Sequence, residues 1–128
     1  MDRLKTKVAM ITGAALGLGR AIAIRMAEEG CAVALLDSLE AEGAALAADL
    51  AARGHAAHFW RCDVSREAEV RLAIDEACAR FGHLDILVNN AGVSGANKPT
   101  HEITEAEWDF VQAINVKGVF FCTKHAIP

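Results

Sequence analysis

Apolar positions along this chain fall into short runs separated by longer stretches in which they recur every three or four residues. Runs over residues 7–12, 31–36, 56–62 and 84–88 have the length of strands. The second, Cys-Ala-Val-Ala-Leu-Leu, is apolar throughout, as expected of a strand covered on both faces. The stretches between them are helical in pattern. Residues 19–29 carry Ile22, Ile24 and Met26 and stop at Gly30; residues 39–53 are rich in alanine and stop at Gly54; a third helix runs to about Phe81 and stops at Gly82. Glycine just past the last periodic residue is a common helix stop. Ser65 is placed to cap the third helix, with Glu67 and Glu69 in its first turn, where negative charge suits the helix dipole. Residues 89–101 read as a loop, and Thr104 as the cap of a last helix running towards the end of the chain.

Strands alternating with helices predict an α/β fold, and right-handed crossovers place such units in a doubly wound parallel sheet. The expected strand order is 3-2-1-4. No repeat, low-complexity tract or linker interrupts the 128 residues, which read as one domain spanning 1–128.

Composition narrows the function classes. Hydrophobic residues make up 53% and charged residues 23%, a globular profile. A net charge of −4 argues against nucleic acid as a partner, since phosphate binding needs clustered cations. The apolar runs are too short to cross a bilayer and the first residues do not read as a leader, so the expected location is cytoplasmic, without membrane association. Cys31, Cys62, Cys78 and Cys122 form no C-x-x-C pair and read as buried thiols. His55, His58 and Cys62 lie close in sequence, but they lack a fourth ligand and the histidines read as solvent-facing, so no metal site is expected.

The chemistry concentrates after the first strand, in Thr12-Gly13-Ala14-Ala15-Leu16-Gly17-Leu18-Gly19. Glycines let a backbone turn tightly and approach a pyrophosphate, and the helix that follows offers free N–H groups at its positive end. Asp37 ends the second strand at the distance where a carboxylate accepts from the ribose hydroxyls of an adenosine. An N-cap for the next helix is an equal reading of the same aspartate.

The spacing T-G-x-x-x-G-x-G resembles the cofactor loop of the short-chain dehydrogenases/reductases. Asn89-Asn90-Ala91-Gly92 matches that family's N-N-A-G motif, Cys62-Asp63-Val64 resembles its D-V pair, and Asn115-Val116-Lys117-Gly118 resembles its N-x-x-G segment. All four occur in the family's order. The resemblance implies a Rossmann-like fold and an oxidoreductase that moves hydride between NAD and an alcohol or ketone. It assigns Thr12, Gly13, Gly17 and Gly19 to the pyrophosphate loop, Leu18 to the nicotinamide side, Asp37 with Ser38 to the adenosine ribose, and Asp63 and Val64 to adenine. Asn89, Ala91 and Gly92 would line the cofactor groove. Asn115 takes the position of the catalytic asparagine, which in the family kinks its helix and holds a water. Its stripe with Val111 and Cys122 predicts that it faces inward.

The family's catalytic serine and Tyr-x-x-x-Lys have no counterpart here, and the chain contains no tyrosine. The resemblance therefore implies a truncated form: the N-terminal portion of a longer single-domain fold, binding NAD(H) without turnover by itself. The alternative is a non-catalytic nucleotide-binding or assembly module. NAD is expected over NADP, because Asp37 would repel a 2′-phosphate and no Lys or Arg is placed to compensate: Leu16 precedes the second motif glycine and Ser38 follows Asp37. An unpaired edge at the fourth strand and apolar residues around the last helix predict association as a homo-oligomer.

Overall fold

The computed structural model describes residues 2–128. Strands β1 (Val8–Thr12), β2 (Ala32–Asp37), β3 (Ala57–Arg61) and β4 (Ile86–Val88) form one parallel sheet in the order β3-β2-β1-β4, the order expected for a doubly wound α/β fold. Helices α1 (Gly17–Glu28), α2 (Glu40–Ala52) and α3 (Glu67–Phe81) connect them, and α4 (Glu105–Gln112) and α5 (Gly118–Ala126) follow. α1, α2 and α3 each run into a glycine with left-handed backbone, at Gly30, Gly54 and Gly82. β1, β3 and β4 are shorter than their expected runs by one or two residues at an end, whereas β2 keeps its length and is shifted by one residue to take in Asp37.

β1 is buried along its whole length, with β2 on one side and β4 on the other. Alternate residues of the strands build two core layers. Ala9, Ile11, Val33 and Leu35 pack with Ala23, Ala27, Leu46 and Leu50 of α1 and α2. Met10, Ala34 and Leu36 face Val70, Ala73, Ile74 and Ala77 of α3 and Cys122 of α5. Alanine dominates the helix surfaces, which lets the helices lie close to the sheet; in α2, Gly43 lies directly against the ring of Phe59.

Three expectations are corrected. Ser65 does not cap α3: its hydroxyl and its N–H both donate to Asp63 Oδ1, at 2.6 and 3.0 Å. The residue before α3 is Arg66, with no side-chain cap; the short acceptor-rich turn offers Ser65 a nearer partner than the helix does. His58 does not face solvent. It lies within β3, half-buried with its ring edge against Trp60 at 4.4 Å between centroids, and burial, with the nearby Arg80 charge, lowers its pKa.

The last helix is not continuous. A 3₁₀ turn, Thr100–Glu102, forms in the preceding loop, and a π-helical segment, Ala113–Lys117, separates α4 from α5. Thr104 caps α4 as expected, in a reciprocal box with Glu107. The cysteines are free, and three of the four are buried. Burial pushes the Cys62 thiol up to about 12 and that of Cys122 to about 11, which leaves both as thiols and unreactive.

Candidate functional site

The carboxyl ends of β1, β2, β3 and β4 meet at one rim of the sheet. There Gly13, Asp37, Ser38, Cys62, Asp63, Val64, Ala91, Gly92, Val93 and Ile114 line a cleft of about 130 Å³. Open α/β sheets bind ligands at this end, where crossovers leave a crevice.

The floor of the cleft is built on the Thr12 hydroxyl. It accepts the N–H groups of Asn90 (3.0 Å) and Ala91 (2.9 Å) and donates to the Val88 carbonyl at 3.4 Å. The Asn90 side-chain amide donates to the Gly13 carbonyl at 3.2 Å. The glycine loop and the loop after β4 are thus fastened to each other. This packing explains two motif glycines. Gly13 has φ +64°, and a Cβ there would stand 2.9 Å from Asn90 Nδ2. Gly19 presses on the Gly13 carbonyl and the same amide, with no room for a methyl group. Gly17, also with positive φ, has open space around it.

The start of α1 is uncapped. Its N-cap is Leu16, no side chain accepts from the first turn, and no acidic residue is there. Leu16, Gly17 and Leu18 are exposed. An anion placed there would meet unpaired backbone N–H groups at the positive end of a helix.

Asp37 answers the two readings of its role with a third arrangement. One carboxylate oxygen accepts the Ala15 N–H of the glycine loop at 3.0 Å, and the other accepts the Leu39 N–H at 3.0 Å. It does not cap α2, whose N-cap is Leu39. Each carboxylate oxygen has a second lone pair, so two acceptor sites remain. The other side of the cleft is also tied down: Asp63 Oδ1 holds Ser65, and Glu69 Oε1 accepts the Asp63 N–H at 3.0 Å.

Asn115 sits in the π segment and is exposed, which corrects the expectation that it faces inward. A π turn takes up an additional residue, so the stripe joining Val111 to Cys122 in an uninterrupted helix is rotated past Asn115. Its amide instead clamps the backbone of Val93 at both ends, accepting from Val93 N and donating to Val93 O at 2.8 Å each. Gly118 lets α5 lie against Val64, where a Cβ would come within 2.7 Å.

Seven of the residues singled out in the sequence therefore share the cleft: Gly13, Asp37, Ser38, Asp63, Val64, Ala91 and Gly92. Thr12 lies beneath it, and Gly17, Leu18 and Gly19 begin α1 beside it. Asn89 is not brought in. Its amide donates to Thr123 Oγ1 at 3.3 Å, and it faces a groove along the free edge of β4. Asn90 was missed, although it holds the glycine loop; strand alternation after β4 sends Asn90 towards the loop and Asn89 away. Arg61 was missed as well. It lies directly across from Asp37 in the β2–β3 register, a proximity that distance along the chain does not reveal.

Residues 7–128 match the short chain dehydrogenase family. The chain belongs to that family. A 3beta-hydroxysteroid dehydrogenase of Mediterraneibacter gnavus is 38% identical over 127 residues, 99% of this chain and 46% of that protein. A D-threitol dehydrogenase of Mycolicibacterium smegmatis is 47% identical over 119 residues, 92% of this chain and 45% of that protein. The crystal structure of a 3-ketoacyl-(acyl-carrier-protein) reductase from Brucella melitensis complexed with NADH superposes with a TM-score of 0.92 at 38% identity, over 98% of this chain and 50% of that one. The chain spans about half the length of the curated relatives it matches. Its parallel sheet in the order 3-2-1-4, with helices packed on both faces, agrees with that membership. No helix among the described residues is long and apolar enough to cross a membrane.

Proposed function

We propose that this chain is the dinucleotide-binding part of a short-chain dehydrogenase that moves hydride between NAD and an alcohol or ketone. The carrying observation is the convergence of the glycine loop, the uncapped start of α1 and the Asp37 carboxylate on one cleft. The donor set suits a dinucleotide: free backbone N–H groups for the pyrophosphate, a carboxylate for ribose hydroxyls, and a narrow slot for a flat base.

In this reading the nicotinamide supplies the hydride acceptor or donor when bound, and the residues of this chain hold and orient it. Gly13, Gly17 and Gly19 let the backbone approach the pyrophosphate, with Thr12 and Asn90 fixing the loop. Leu18 covers the nicotinamide side. Asp37 and Ser38 take the adenosine ribose, and Asp63 and Val64 flank adenine. Ala91 and Gly92 keep the groove wall low. Asn115 positions that wall by clamping Val93, and its place in the π segment suits the family role of holding a water. Hydride transfer to a carbonyl also needs a proton donor within reach of the oxygen, and these 128 residues contain no tyrosine to take the family's acid/base role. A non-catalytic nucleotide-binding module would use the same cleft.

NAD should bind at least about tenfold more tightly than NADP, because Asp37 would face a 2′-phosphate of like charge. Calorimetric titration with both cofactors tests this, and Asp37→Ala should narrow the gap. Equal affinity, or tighter NADP binding, overturns the NAD preference; no binding of either overturns the whole reading.

A further inference from the structure

Arg61 and Asp37 are register partners on β3 and β2, and the Cys62 N–H donates to the Asp37 carbonyl at 2.9 Å, which fixes the strands at that point. Register partners in a sheet send their side chains to the same face. Two residues back, Leu35 and Phe59 both pack in the layer under α1 and α2, so Asp37 and Arg61 leave the sheet on that side together. Adjacent strands lie about 4.8 Å apart, well within the reach of an arginine side chain. The Asp37 carboxylate is committed to the amides of Ala15 and Leu39. Arg61 instead approaches Glu69 at 3.7 Å, a carboxylate that Arg66 already meets at 3.3 Å and that also accepts the Asp63 N–H. Its side chain is 55% exposed. A loose, exposed ion pair contributes little and is readily exchanged. Arg61 is thus a weakly held cation beside the carboxylate proposed to read the ribose.

We propose that Arg61 is a specificity-determining residue, the cation on which an adenosine 2′-phosphate lands, so that cofactor choice is set jointly by Asp37 and Arg61 on adjacent strands. This rests on the reading that Asp37 takes the adenosine ribose. A phosphate at that position meets repulsion from Asp37 and a bidentate donor in Arg61. In the wild type the carboxylate prevails because it is fixed by two backbone amides, whereas Arg61 must leave Glu69. With the Asp37 charge removed, Arg61 governs.

Calorimetric titrations of NAD and NADP on the wild type, Asp37→Asn, Arg61→Gln and the double variant decide the matter. Asp37→Asn should bind NADP at least about tenfold more tightly than the wild type, and the double variant should lose most of that gain. The gain should shrink at high salt, as an exposed ion contact does. Arg61→Gln should leave NAD affinity within about threefold and lower the ratio of NADP to NAD affinity by more than that. If NAD binds the wild type but Asp37→Asn and the double variant bind NADP alike, the Arg61 assignment is wrong and the cofactor reading stands. If NAD does not bind the wild type, both fall. Should Asp37→Asn fail to fold, Arg61→Gln decides alone, and an unchanged NADP to NAD ratio overturns the assignment.

Discussion

The Thr12 hydroxyl is buried and holds three backbone groups, so its loss should be felt well beyond one side chain. Thr12→Val keeps the shape but strands the N–H groups of Asn90 and Ala91. Leaving buried donors unmet costs about 1–3 kcal/mol for each group. Thr12→Ser keeps the hydroxyl and should lose only about 1 kcal/mol, the share of a methyl group. Chemical denaturation of the two variants checks the contrast; equal stabilities would show that the hydroxyl network is dispensable. Much of this cleft was legible in the sequence. Glycine spacing after a strand, a carboxylate ending the next one and an N-N-A-G turn are local patterns, and local patterns survive in one dimension. Asn90 and Arg61 were not legible, because their partners Gly13 and Asp37 lie 77 and 24 positions away in chain order and become neighbours only through strand pairing. Asn89 was assigned to the groove for the same reason: which of two adjacent asparagines turns inward is settled by strand phase.

Among the elements, α1 illustrates how a buried charge can be secured. Glu29, at its C-terminal end, is only 2% exposed. Arg3 donates to it from both the guanidinium and the backbone N–H, and Arg25 pairs with it one turn back. The Leu4 N–H donates to the Glu29 carbonyl at 2.9 Å, so the N-terminal segment is bound to α1 along two paths. The hydrogen bonds from Arg3, aided by the Arg25 charge and opposed by burial, hold the Glu29 carboxyl down to about 2. A folded-state pKa below the unfolded one means that the ionised carboxylate stabilises the fold above the ordinary carboxylate range. That contribution is lost as pH falls through the folded value. Thermal unfolding followed from about pH 5 to about pH 2 should therefore show the wild type losing stability more steeply than Glu29→Gln. Parallel slopes would show that Glu29 is not the coupled group. Glycine stops and the Thr104 cap transferred well at this scale because they act locally, whereas the Ser65 cap did not. The π segment was not visible in the apolar periodicity across 105–126, which is nearly that of a single helix; only the family resemblance placed a kink at Asn115, where the amide meets Val93.

At the scale of the molecule, the sheet is asymmetric. β1 has neighbours on both sides, whereas β4 pairs with β1 alone and is only half-buried. Beside its free edge lies a groove lined in part by Leu84, Ile86, Leu87, Thr123 and Ile127, and Phe120, Val116 and Ile127 are more than half exposed on the α4–α5 side. An unpaired strand next to apolar surface invites pairing with another chain. The protein as these 128 residues should therefore self-associate, with a sedimentation coefficient that rises across a concentration series. A single monomer boundary at high concentration would show that this edge is inert. Strand order was predicted because chain-crossing handedness leaves few topologies; the half-burial of β4 depends on how α5 lies beside it and is not written in the strand's own residues.

The fastening of Thr12 to residues 88–91 also sets an order in time. A ribosome releases this chain from its N-terminus, and β1, β2 and β3 with their helices are available before β4 has been made. Until then one side of β1 has no hydrogen-bonding neighbour, and the Thr12 hydroxyl has none of its three partners. The glycine loop is synthesised before β4 but gains its anchor from a segment more than seventy positions later. Contacts of such long sequence separation form slowly. The nascent chain therefore passes through a stage with its central strand half-clad, the stage at which a chaperone that recognises extended apolar segments would find it.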